Sequence, residues 1–138
     1  RVFAIHGTRY VNKTKPEIIN TCLSSLVNSI NQVKDHEIEL FVLDDHSDEG
    51  CIKDIKNILN KCKFPTQFIS VTDGTGASHT CYKVYELVEK HASDLWLHIE
   101  DDYLNFPTAI QDMIDSVDLG KYLNSPHQSE ALMHVPVA

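Results

Sequence analysis

Two acidic clusters, each closing an apolar run, are the residues of this chain best suited to chemistry. Glu100-Asp101-Asp102 follows Leu95-Trp96-Leu97-His98-Ile99, and Asp44-Asp45 follows Phe41-Val42-Leu43, with Asp48 three residues on. Unpaired carboxylates are costly to bury, so each cluster is expected where a strand emerges into a cleft. Hard cations such as Mg²⁺ and Mn²⁺ take oxygen ligands and keep positions open for substrate phosphates. Acidic strand ends sharing one cleft would therefore hold such a metal and, through it, a phosphorylated ligand. An acidic triplet alone more often reads as a solvated strand end; the second cluster shifts that balance.

The bulk properties limit the partners. At 138 residues the chain has the length of one compact domain with a single core. Its formal charge of −8 opposes nonspecific binding to nucleic acid, which depends on neutralising phosphates with Lys and Arg. A metal would have to supply the positive charge for a phosphorylated ligand. The four cysteines, Cys22, Cys51, Cys62 and Cys81, form no C-x-x-C pair and fall within or beside helical apolar patterns. They are expected as buried thiols in a reducing compartment, which points to the cytoplasm. No apolar run reaches the roughly 18 residues of a membrane span, and no signal-peptide pattern is present.

The elements that must position the acids read as strand and helix in alternation. Val2-Phe3-Ala4-Ile5 is a short apolar strand leading into the loop His6 to Tyr10. Ile19, Cys22, Leu23, Leu26, Val27 and Ile30 have the spacing of one helical face, with Thr14, Pro16 and Glu17 as its N-terminal signal. Ile38 to Leu43 is a second strand, and Ser47 or Asp48 caps a helix carrying Ile52, Ile55, Ile58, Leu59 and Cys62. Phe64 to Val71 is a third strand, followed by the glycine loop Asp73 to Ser78 and a helix with Cys81, Val84, Tyr85 and Val88 on one face. Leu95 to Ile99 is a fourth strand, and Pro107 opens a helix with Ile110, Met113, Ile114 and Val117 inward. This succession predicts an α/β fold, a mostly parallel sheet with helices on both faces. Ligands of such sheets bind at the carboxyl ends of the strands, where all the polar clusters fall.

Absences narrow the schemes that use such an edge. A P-loop is missing, because Gly74-Thr75-Gly76-Ala77-Ser78 has no lysine at the required place. A dinucleotide fold would need G-x-G-x-x-G after the first strand, where only Gly7 stands. A phosphoacceptor receiver would place its acid pair there, where this chain has His6-Gly7-Thr8. The loop Asp44 to Asp48 lacks the central glycine and terminal glutamate of an EF-hand. His46, His79 and His98 have no partner at metal-ligand spacing and are read as structural or solvent-facing.

The stretch Phe41 to Gly50, containing Asp44-Asp45-His46-Ser47-Asp48, resembles the D-D-x-S-x-D segment ending the second strand of family-2 glycosyltransferases of the GT-A fold. Glu100-Asp101-Asp102, followed by Pro107, resembles that family's D-x-D-type metal site, and the order and separation of the two motifs match over nearly the whole chain. The resemblance implies a Rossmann-like nucleotide-binding half of a metal-dependent glycosyltransferase. It implies that Asp45 accepts a hydrogen bond from a uracil-like base while Asp44 and Ser47 hold the loop. Thr8 and Arg9 would contact base or diphosphate, although this loop departs from the family's proline-threonine-tyrosine-asparagine pattern. Gly76 and Ser78 would lie beside the nucleotide, the glycine allowing close approach of backbone. Asp102 would ligate Mn²⁺ or Mg²⁺, with Glu100 as a further metal ligand and Asp101 on the ribose or sugar. The Glu-Asp-Asp order departs from D-x-D and leaves the roles of Glu100 and Asp101 interchangeable. The implied donor is a nucleotide-diphosphate sugar, a UDP-sugar in particular.

A complete enzyme of this kind also needs a general base and an acceptor-binding half. His127, Glu130 and His134 are the only titratable groups after Tyr122, and none lies in a recognisable motif. Residues 1–138 are accordingly expected to form a single domain truncated before the acceptor-binding part. The apolar patch so exposed would offer a route to homo-oligomers. The alternative from another class is a noncatalytic nucleotide-binding or assembly module of the same fold.

Overall fold

The computed structural model describes residues 13–91 and 95–122. In chain order the elements are α1 (Lys15–Ile30), β1 (Leu40–Asp44), α2 (Glu49–Leu59), β2 (Thr66–Ser70), α3 (Ala77–His91) and α4 (Ala109–Tyr122). This is a mixed α/β arrangement in which β1 and β2 pair in parallel, Leu40 opposite Thr66 through Asp44 opposite Ser70. The first expected strand, Val2 to Ile5, and the loop from Asn124 to Ser129 lie outside the described residues.

The first two helices begin where a side chain can replace a missing backbone partner. At the start of α1, Glu17 Oε2 accepts the Thr14 N–H at 2.7 Å and the Thr14 hydroxyl at 2.8 Å. Those bonds, the backbone one foremost, hold the Glu17 carboxyl below its usual range. Of the two expected caps for α2, Asp48 serves: its carboxylate accepts the Cys51 N–H at 2.8 Å. The last helix starts at Ala109, two residues beyond the expected opening at Pro107. Phe106 and Ala109 close a turn first, and Thr108 then bonds to Asp112 through both its carbonyl and its hydroxyl.

The core lies on one face of the sheet. Val27 of α1 packs with Cys51, Ile55, Ile58 and Leu59 of α2, against Leu40, Val42 and Phe68 from the strands. Leu26, Ile30 and Val33 pack with Ile110 of α4, and Leu97 and Ile99 close over them. Burying such side chains contributes roughly 1.5–3 kcal/mol each, so α1, shared by both clusters, is the spine of the domain. On the opposite face Phe41 meets His91 of α3 at a ring separation of 5.0 Å and Trp96 at 5.8 Å.

Two expectations about burial need correction. Tyr85, expected on the same face of α3 as Val84, is 61 % exposed; only Val84 of that helix is buried. Cys22 and Cys51 are buried free thiols as expected, whereas Cys62 and Cys81 are half-buried, though also free. The fourth expected strand, Leu95 to Ile99, joins no ladder among the described residues, where the sheet has only β1 and β2. Its alternation survives nonetheless, with Leu97 and Ile99 on the α1 side and Trp96 on the Phe41 side. Among the described residues no helix is long and apolar enough to cross a membrane.

Candidate functional site

The polar loops gather at the carboxyl ends of β1 and β2. Asp44, the last residue of β1, is buried, and both of its carboxylate oxygens accept the Ser47 N–H at 3.3 Å. Asp45 then turns across to the neighbouring loop. Its Oδ2 accepts the Gly76 N–H at 3.1 Å and its Oδ1 meets His46 Nδ1 at 2.9 Å, with only 6 % of its side chain exposed. Two residues in this arrangement have left-handed backbone: His46 at φ 61° and Gly76 at φ 95°. Glycine adopts that region without the Cβ penalty, which explains its place at the tip of the loop after β2; for His46 the Asp45 bond offsets part of the cost.

The second acidic cluster is anchored by α1 over a long stretch of sequence. Lys15 in the first turn of α1 donates to Asp101 Oδ1 at 2.6 Å across 86 residues, and both side chains are roughly one-third exposed. Further along the same helix, Ser25 Oγ accepts the Asn105 N–H at 2.9 Å and Ser29 Oγ accepts the Ile110 N–H at 3.1 Å. These serines, one turn apart, fix the segment that follows the acids. Cys22 lies beside them; burial pushes its thiol pKa up, and the negative charges of Asp102 and Asp101 push it the same way.

A cavity of about 1900 Å³ joins the two clusters. Asp44, Asp45 and Asp48 line it from the β1 side, Glu100 and Asp101 from the other, and Lys15 is the one lysine or arginine among its described lining residues. The structure thus brings together Asp44, Asp45, Glu100 and Asp101 around one space. Gly76 reaches this group through its bond to Asp45. Asp102 is exposed and is not among the lining residues, and Ser78 faces a separate shallow hollow with Tyr82 and Tyr85. Thr8 and Arg9 lie outside the described residues.

Among the described residues no three His, Cys, Asp or Glu side chains gather into a group that would cage a metal ion. Glu100 and Asp102 are nonetheless exposed oxygen donors on either side of Asp101. That donor set suits Mg²⁺ or Mn²⁺, which bind through one or two carboxylates and complete their shell with phosphate and water.

Three contributors escaped the sequence reading. Lys15 looked like an ordinary first-turn lysine, because its acidic partner is 86 residues away. Ser25 and Ser29 carried a weak signal: serines at i and i+4 on the apolar side of a helix need bonded partners there. Comparisons of the chain with family models, with curated proteins and with solved structures return no match.

Proposed function

We propose that this chain is the nucleotide-sugar-binding portion of a metal-dependent glycosyltransferase, with the Rossmann-like half of a family-2 GT-A fold. The observation that carries the reading is that Asp44, Asp45, Glu100 and Asp101, remote in sequence, line one cavity that runs along β1, with Asp44 and Asp45 at the carboxyl end of that strand. Parallel α/β sheets take ligands at that edge. The donor is a UDP-sugar, held with its base toward Asp45 and its diphosphate toward Glu100 and Asp102. Bound there, Mn²⁺ or Mg²⁺ would neutralise the diphosphate and stabilise the charge that develops on it as the glycosidic bond breaks. The chain's own share is to orient the nucleotide through Asp45 and the glycine loop. Lys15 adds a cation to an acidic rim. The four free thiols support a reducing, cytoplasmic setting.

Isothermal titration of the chain with uridine diphosphate, with and without Mn²⁺, tests the proposal. Binding should require the metal and should be lost in Asp102→Ala; equal affinity in that variant would remove Asp102 from the site. The second reading is a noncatalytic nucleotide-binding or assembly module of the same fold. Release or transfer of the sugar from a UDP-sugar by this chain would decide for the enzyme.

A further inference from the structure

We propose that His79 is a positioning residue, clasping the glycine loop after β2 onto α3 so that Gly76 presents its N–H to Asp45. The inference rests on the reading of Asp45 as the carboxylate that meets a nucleotide base, and it supplies the means by which that carboxylate is oriented. Sequence spacing gives His79 no metal-ligand partner. The fold gives it a different one.

Asp73 opens the loop, and two side chains one turn apart on α3 hold it. Lys83 Nζ lies 2.7 Å from Asp73 Oδ2 and is itself steadied by Glu86 at 2.9 Å. His79 Nε2 lies 3.2 Å from Asp73 Oδ1. An ionised carboxylate only accepts, so the hydrogen of this bond sits on Nε2. Asp73 is thus engaged on both oxygens by residues four apart on one helical face. At the other end of the loop, the Gly76 carbonyl accepts the Thr80 N–H at 3.0 Å and the Thr80 hydroxyl at 3.1 Å. With both ends fixed on α3, the Gly76 N–H meets Asp45 Oδ2 at 3.1 Å.

Gly74 shows that the whole imidazole ring takes part, and not its nitrogen alone. A Cβ on Gly74 would stand 2.7 Å from Cε1 and Nε2 of His79 and 2.8 Å from Cδ2, well inside van der Waals contact. The ring therefore lies directly against the loop backbone. Gly76 needs to be glycine for its φ of 95°, whereas Gly74 has no left-handed backbone to require one. Its missing side chain makes room for the imidazole. A ring seated there resists lifting of the loop from α3, while Lys83, on a flexible four-carbon stem, tethers Asp73 without filling the space. Asp73, His79 and Lys83 are all partly exposed, so the clasp contributes to geometry more than to stability.

NMR and calorimetry on the full chain test the proposal with Gly74→Ala, His79→Ala and the double variant. Both substituted positions are only partly buried, so folding is not at stake. The Gly76 amide proton should move upfield in both single variants, as its bond to Asp45 slackens. Gly74→Ala should lower the urea midpoint of the parent but leave that of His79→Ala unchanged, because the ring that blocks the new methyl group is then absent. Uridine diphosphate with Mn²⁺ should bind about two- to fivefold more weakly to either single variant, the range of a partly exposed charged contact. A Gly76 amide that stays in place in His79→Ala would overturn the proposal, as would an equal cost of Gly74→Ala in both backgrounds or parent-like affinity in His79→Ala. A parent chain that binds no uridine diphosphate overturns the nucleotide reading instead, and the amide and urea measurements then decide by themselves whether His79 aims this loop.

Discussion

Replacing Ser29 by alanine tests whether α1 holds the segment that follows the acids. Ser29 is 0 % exposed, and its hydroxyl oxygen accepts the Ile110 N–H at 3.1 Å from the first turn of α4. Alanine leaves that N–H facing a methyl group in a space water does not reach, which costs about 1–3 kcal/mol. The better helix propensity of alanine returns about 0.5 kcal/mol. A net loss of about 1–2 kcal/mol should lower Tm by about 4–8 °C for a chain of this length. Ser25→Ala should cost less, about 0.5–1 kcal/mol, since its bond to Asn105 is only partly buried and water can replace it. Both serines hold one segment, so the double variant should depart from additivity by about 0.5 kcal/mol or more. Urea denaturation of the four proteins measures all of this. A Ser29→Ala variant as stable as the parent, with an unchanged m-value, would refute the claim that this bond anchors α4.

Further outcomes follow from the charged groups. Asp73 is held down to about 2, first by its bond to Lys83 and next by the one to His79. Its folded-state pKa is depressed, so its contribution is fully present above about pH 4 and is lost as pH falls toward 2; NMR titration should show the carboxyl moving back up toward 3.8 in Lys83→Ala. Lys15→Met removes the cation that competes for Asp101, and should tighten Mn²⁺ binding by up to about fivefold in calorimetry, the range set by a partly exposed ion pair. Weaker Mn²⁺ binding in that variant would show that Lys15 supports the acidic rim instead of competing with the metal.

What the sequence revealed depended on the range of the interaction involved. The apolar faces of α1 and α2 are written in local periodicity, and Asp48 is recognisable as a cap because its partner, the Cys51 N–H, is three residues away. β1 and β2 are legible from their apolar runs ending at turn residues. Leu95–Ile99 shows the limit of that logic: alternation gives an extended backbone, but a ladder needs a neighbour that the segment's own residues do not specify. Pro107 fits a first helical turn equally well two residues later or earlier, and only the Thr108 to Asp112 bonds fix the start. Tyr85 sits on the right helix with the wrong exposure, because α3 packs through little more than Val84 and leaves its flanks open. At the acidic edge, apolar runs that end in carboxylates mark Asp44, Asp45, Glu100 and Asp101, which line one cavity. The pairing of Asp45 with a backbone N–H 31 residues away, and of Asp101 with Lys15, is long-range geometry with no local trace.

The bond from Asp45 to Gly76 ties two turns into a single moving part. A carboxylate has acceptor sites to spare, so a further N–H can join Asp45 while the Gly76 bond stays in place. The glycine loop thereby fixes the bearing of an acceptor it does not itself carry, and a side chain at position 76, where φ is 95°, would be felt at Asp45 through that bond.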